Sequence, residues 1–171
     1  MNAEQLREMQ APLKAQYKEQ PDAARIVLKA SGSLGEDGVT CKVETGKALV
    51  EAGLHPATGG SGMEACSGDM LLEALVACAG VTLKAVATAI GVELRGGKVS
   101  AEGMLDFRGT LGVSKEAPVG FENIKLHFDL DTDADEEQLA TLIKLTERYC
   151  VIYQTLNKPP PLEVTRQVSG G

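Results

Sequence analysis

The chain has 171 residues, enough for one sizeable core, and its 43% hydrophobic and 24% charged residues are the balance of an ordinary globular domain. A formal net charge of −7 with no basic run argues against a nucleic-acid-binding surface, because a phosphate backbone would be repelled. Aromatics are only 4% and Trp is absent, so the core rests on Leu, Val, Ile and Ala, and an intertwined oligomer would supply missing burial.

The N-terminal stretch MNAEQLREMQAPLKAQYKEQ is too polar for a secretory signal. Residues 2–20 predict a surface helix, kinked at Pro12 and followed by Pro21. ARIVLKASGSL and GVTCKVETGKAL then predict two strands across a GEDG turn, with Cys41 as an ordinary half-buried strand residue. From Gly53 to Gly68 runs a Gly-rich loop that lacks the GxxxxGK[ST] spacing of a phosphate-binding loop. Its glycines suit tight turns and close approach of backbone to a site at the following helix start.

That helix spans Ala65 to Gly91, with Ser67 as its expected N-cap and Asp69 in its first turn. Met70 to Ile90 is long enough to cross a bilayer. Glu73 and Lys84 interrupt it and no positive cluster flanks it, so a buried helix of a non-membrane protein is expected. KVSAEGMLDFRGTL and FENIKLHFDLDT alternate as strands. TDADEEQLATLIKLTERYC predicts an amphipathic helix with Asp133 and Glu136 as its capping box, which explains the acidic run better than a calcium loop does. CVIYQTLNK continues that helix or starts another turn, Pro159–Pro161 stop it, and LEVTRQV predicts a last short strand. The pattern is α+β in a single domain over 1–171, with 1–20 as an N-terminal helical extension.

Four cysteines, Cys41, Cys66, Cys78 and Cys150, are expected as thiols in the cytoplasm. On the long helix Asp69, Glu73, Gly80 and Lys84 share one stripe, and Cys78 points about 140° away from Glu73, toward the interior. Cys150 lies about three turns after Leu139, on the face of Ile143 and Thr146. Buried thiols most often only fill space, and pattern alone leaves that choice open.

The words around these cysteines are more specific. HPATGGSG, SGDMLLEALVACAGVTL, RGTLGV, PVGFENIKLHFDL and LTERYCVIYQTL together resemble the OsmC/Ohr family, from about Ile26 to Val168. The resemblance implies an OsmC-like fold, antiparallel sheets wrapped around long central helices in an intertwined homodimer. It implies reduction of organic hydroperoxides with Cys78 as the peroxidatic and Cys150 as the resolving cysteine. A disulfide intermediate would be reduced by a dithiol, often lipoyl-linked, with no cofactor and no metal. Leu75, Phe107, Phe121 and Tyr153 are candidates to line an apolar substrate pocket.

The chain departs from the family pattern at three places. A glutamate ten residues before the reactive cysteine, which organises an activating arginine, is replaced by Gly68; Asp69 beside it is a supporting candidate that could substitute only if the loop were re-registered. The arginine of the early hairpin is missing, and Lys42 is the nearest cation, without the planar fork of a guanidinium. Arg25, Arg108 and Arg148 are other sources of positive charge. The proline that commonly follows the resolving cysteine is Val151, a change expected to shape backbone and not chemistry. The sequence therefore resembles the divergent OsmC-like branch.

Cys66 and His55 are further supporting candidates. Cys66 could serve as a second resolving thiol or, with His55, as a metal ligand; a plain loop cysteine is the simpler account, because CxxC and HxxxH spacings are lacking. His55 is a candidate base or donor, or a turn stabiliser. His127 is expected as a partly exposed strand residue. The alternative to an enzyme is a small-molecule-binding or redox-sensing dimer with inactive cysteines.

Overall fold

The computed structural model describes residues 2–19, 31–34, 40–44 and 49–168. Asn2 starts the first helix reciprocally: its side chain accepts from the Gln5 N–H at 2.9 Å, and the Gln5 side chain accepts from the Asn2 N–H at 3.0 Å. Helix α1 (Ala3–Glu19) runs on through Pro12 without ending there, and buried Leu6 sits near Ala89 on the long helix that follows. Arg25 and most of the first expected strand lie outside the described residues.

The expected hairpin is a larger sheet. Strands β1 (Ser31–Leu34), β2 (Thr40–Glu44) and β3 (Leu49–Gly53) pair antiparallel in sequence order, and β4 (Ala65–Cys66) joins β3 in parallel. What sequence pattern treats as one strand through residue 49 is therefore two strands, and β3 extends to the edge of the Gly-rich loop. Inside that loop Pro56–Thr58 form a 3-10 turn, with the His55 Nδ1 accepting from the Ala57 N–H at 3.0 Å.

Pairing with β3 keeps Cys66 extended, so helix α2 begins at Ser67 and runs to Ile90. Cys66, not Ser67, is the N-cap, and its side chain caps nothing. Gly91 closes the helix at φ 76°, where the N–H returns to the Ala87 carbonyl and a side chain would be strained.

Strand β5 (Gly96–Met104) pairs antiparallel with β6 (Asn123–Asp131) along its whole length. The strand expected through Leu111 ends at Met104. The Asp106 carboxylate then accepts from the Arg108 N–H at 3.0 Å and starts a short helix, α3 (Phe107–Thr110). Past β6, Thr132 donates to the Glu93 carbonyl, and Arg95 pairs with Asp131 and Asp133. These bonds hold the chain extended for two residues more than the spacing predicts. Helix α4 (Glu136–Tyr149) consequently takes Asp135 and Gln138 as its capping box in place of Asp133 and Glu136.

One side of α2 packs on α4, β5 and helix α5 (Val151–Asn157), and the core lies there in two clusters. Leu83, Val86, Ala87, Val92 and Leu142 fill the first; Leu75, Ala79 and Cys150 fill the second. By length and composition α2 could cross a membrane, yet its inner side is committed to this core. Residues 159–168 pair with no strand among the described residues, and Leu162 is 92% exposed, so the expected last strand is not formed within one chain.

Candidate functional site

The chain breaks helical geometry once between Glu136 and Asn157, at Cys150 (φ −73°, ψ 110°). This residue ends α4 and caps α5, and its sulfur accepts from the Tyr153 N–H at 3.5 Å. The break turns the first N–H groups of α5 toward α2, where Cys78 lies half-buried against the cluster of Leu75, Ala79 and Cys150. Cys150 itself is only 1% exposed. Cys66, Cys78 and Cys150 are all free thiols.

Burial pushes the Cys78 thiol up. The Ile152 N–H, the Cys150 thiol, the Val151 N–H and the Thr82 hydroxyl oppose it, and together they leave Cys78 below the ordinary thiol range. Cys150 goes the other way: burial raises it, the Tyr153 N–H only partly offsets this, and the adjacent Cys78 raises it further. The pair is thus polarised, with the first proton leaving from Cys78. A thiolate on Cys78 beside a protonated thiol on Cys150 suits nucleophilic attack followed by condensation between the two sulfurs.

Two groups were missed by sequence reasoning. Thr82 stands one turn after Cys78, and side chains on a helix lean toward its N-terminus, so the spacing alone could have found it. Val151 contributes an N–H that a proline would lack, so its difference from the family pattern bears on chemistry as well as backbone. That signal depends on the break at Cys150, which periodicity does not reveal.

The other candidates lie elsewhere. Asp69 is exposed and nine residues before Cys78, about 13 Å along the helix axis, so it does not replace the family glutamate at the thiol. Cys66 precedes Cys78 by about 18 Å of helix, well beyond the Cα separation of about 7 Å that a disulfide spans. It cannot resolve Cys78 within one chain while α2 is intact. No group of three potential ligands gathers around Cys66 and His55 or elsewhere among the described residues. His55 caps the 3-10 turn and stacks on Phe107 with ring centroids 4.9 Å apart, which takes Phe107 away from any pocket beside the thiols. Arg108 is held by Asp106, and the Arg148 guanidinium lies 5.6 Å from the Tyr149 ring centroid. Lys42 and Cys41 belong to β2, and their side chains lie outside the described residues. His127 is exposed on β6.

Beside the cysteines, the inner face of β6 with α2, α4 and α5 forms an open groove of about 550 Å³. Leu75, Ile124, Leu126, Phe128, Tyr153 and Leu156 make its apolar floor, and all six also pack in the cluster that holds Cys78 and Cys150. Lys125, Glu147, Asn123 and Asn157 form a polar rim. Phe121 completes one wall, lying so close over Gly103 that a Cβ there would sit 2.4 Å from its ring. Leu75, Phe121 and Tyr153 line this groove within one chain, and Phe107 does not.

The family model for OsmC-like proteins matches residues 59–165, from the Gly-rich loop through α5. The chain belongs to the OsmC-like protein family. Solved structures agree on the fold. An OsmC-like protein from Mycoplasma pneumoniae superposes with a TM-score of 0.65 at 16% identity, over 78% of this chain and 89% of that one. An organic hydroperoxide resistance protein from Elizabethkingia anophelis gives 0.63 at 16% identity, over 80% and 91%. An organic hydroperoxide resistance protein OsmC from Legionella pneumophila gives 0.61 at 16% identity, over 79% and 92%. No curated protein sequence matches the chain. The α+β, OsmC-like fold expected from sequence is the fold of this OsmC-like chain, and the low identities agree with a divergent member.

Proposed function

We propose that this OsmC-like protein reduces organic hydroperoxides with Cys78 as nucleophile and Cys150 as resolving thiol. The observation that carries the proposal is the opposed polarisation of the two adjacent thiols, Cys78 below the ordinary range and Cys150 above it. The Cys78 thiolate attacks the distal peroxide oxygen, the O–O bond breaks, and the alkoxide leaves as alcohol after taking a proton. Cys78 is then a sulfenic acid. The Cys150 sulfur attacks it, water departs, and a disulfide remains for a dithiol to reduce by exchange. The apolar groove beside the pair favours an alkyl hydroperoxide over hydrogen peroxide.

The working form is a homodimer in this proposal. Leu71, Ala74, Ala77 and Val81 form one stripe on the open side of α2, and Val81 is 72% exposed in the single chain.

The test mixes reduced protein with one equivalent of cumene hydroperoxide and follows intact mass and peptide maps. Rapid loss of two hydrogens with Cys78 joined to Cys150 is expected. Thiols that stay reduced for many minutes would sink the reductase. The groove would then support the other reading, a carrier of a small apolar molecule, whose binding survives Cys78→Ser.

A further inference from the structure

A second depression of about 530 Å³ lies at the junction of α4 and α5. Residues on its α5 side are Val151, Gln154, Thr155 and Lys158, whereas the apolar groove takes Tyr153, Leu156 and Asn157. At about 100° per residue these two sets occupy opposite faces of the helix. The two depressions therefore flank the cysteine pair from different sides.

Their chemistry differs as well. Arg148 and Lys158 line the second depression, no carboxylate does, and neither cation is ion-paired with a described carboxylate. In a chain with a formal net charge of −7, this is a local inversion of sign next to a reactive sulfur. Cys150 borders this depression and Cys78 borders neither; because Cys150 is only 1% exposed, the depression must open slightly for a donor to reach its sulfur.

We propose that the α4–α5 depression is the docking site of the reductant, a small dithiol bearing carboxylates, which attacks the Cys150 sulfur of the Cys78–Cys150 disulfide. The inference rests on the reading that these two cysteines form a disulfide in turnover. The donor thiolate forms a bond to the Cys150 sulfur as the Cys78–Cys150 bond breaks, and the electron pair leaves on Cys78. The donor's second thiolate then attacks the donor sulfur of this mixed disulfide and expels Cys150, which takes a proton. Two electrons pass from the dithiol, which departs as its cyclic disulfide.

Attack on Cys150 is also the faster direction. The leaving sulfur is Cys78, whose thiolate is held by the Val151 and Ile152 N–H groups and the Thr82 hydroxyl, and a thiol of lower pKa leaves faster. Attack on Cys78 would instead expel Cys150, the sulfur that burial makes the poorer leaving group. Peroxide and reductant then use separate faces, so the alcohol product need not leave before reduction of the disulfide begins.

The experiment forms the disulfide with diamide, so that it does not depend on peroxide turnover. Reduction by 2,5-dimercaptoadipate, a dianionic dithiol that closes a six-membered cyclic disulfide, is compared with reduction by dithiothreitol, a neutral dithiol of the same ring size, in the wild type and in the Arg148→Gln/Lys158→Gln double variant. The variant is expected to lose about tenfold toward 2,5-dimercaptoadipate and little toward dithiothreitol, and added salt should impose the same selective loss on the wild type. Equal loss toward both reductants, or no loss, overturns the docking site. With the monothiol mercaptosuccinate, peptide mapping should find the adduct on Cys150 with Cys78 free. An adduct on Cys78, or failure of diamide to join the two cysteines, overturns the proposal too. A disulfide that diamide makes but cumene hydroperoxide does not would instead count against the peroxide reading alone.

Discussion

A thiol on the inner side of a helix is ordinarily a poor nucleophile, because burial favours the uncharged form. Cys78 escapes this through four donors that cost no cation: two N–H groups at the start of α5, the Cys150 thiol and the Thr82 hydroxyl. A folded-state pKa below the ordinary thiol value means that thiolate accumulates at lower pH than in the unfolded chain. Iodoacetamide labelling of Cys78, followed by mass spectrometry across pH, should accordingly inflect below the value for the same residue in denaturant, near 8.5. Coincident inflections would remove the basis for its role. Thr82→Val keeps the shape and removes the donor; with a net hydrogen bond worth about 1 kcal/mol, the inflection should rise by about 0.7 of a unit. Val151→Pro should raise it similarly, since proline is tolerated at a first helical position but brings no N–H. An unmoved inflection in both variants would mean that these groups merely neighbour the sulfur. Helical periodicity alone placed Cys78 and Cys150 on inward faces. Of the groups that activate Cys78, Thr82 is within reach of that spacing, but the two backbone donors are not, because their direction is set by the break at Cys150.

At the level of elements, packing of α2 against α4 holds the first core cluster together while α5 brings its N–H groups to Cys78. Leu142 has no exposed surface and sits where α2 and α4 meet. Leu142→Ala should cost about 3 kcal/mol, read as a lower denaturant midpoint at unchanged slope. Asp135→Ala removes one half of the α4 capping box and should cost about 1 kcal/mol. If the cap variant lost as much as the core variant, the helix start would be anchoring more than its own first turn. Both helices were legible from spacing, whereas their boundaries were not. The start of α4 moved because Thr132 bonds Glu93, and Arg95 gathers Asp131 and Asp133, contacts made across nearly forty residues of chain. Likewise β5 stops at Met104 because Asp106 caps a local turn, although the alternating pattern runs on.

On the scale of the whole molecule, the unusual feature is how much apolar surface a single chain leaves open along its longest helix. Sequence pattern gives α2 a stripe through Asp69, Glu73 and Lys84 and an inward face for Cys78 but does not reveal that the Leu71–Val81 side is open, since periodicity reports which residues share a face and not whether anything covers it. The 162–168 segment makes the same point for strands: alternation of Leu162, Val164 and Val168 describes a strand only when an edge is supplied, and among the described residues none is. In the proposed homodimer the Leu71–Val81 stripe is covered by the partner. Val81 decides this cleanly, because it is largely exposed in one chain and its replacement costs an isolated chain little. Val81→Glu should place like charges in the interface and convert a dimer to monomers in sedimentation velocity, with unchanged helix content by circular dichroism. Because the thiol pair and its donors all come from one chain, the monomeric variant should still form the Cys78–Cys150 disulfide with diamide. A wild type that sediments as a monomer would refute the dimer outright, and a variant that remains dimeric would move the interface away from α2.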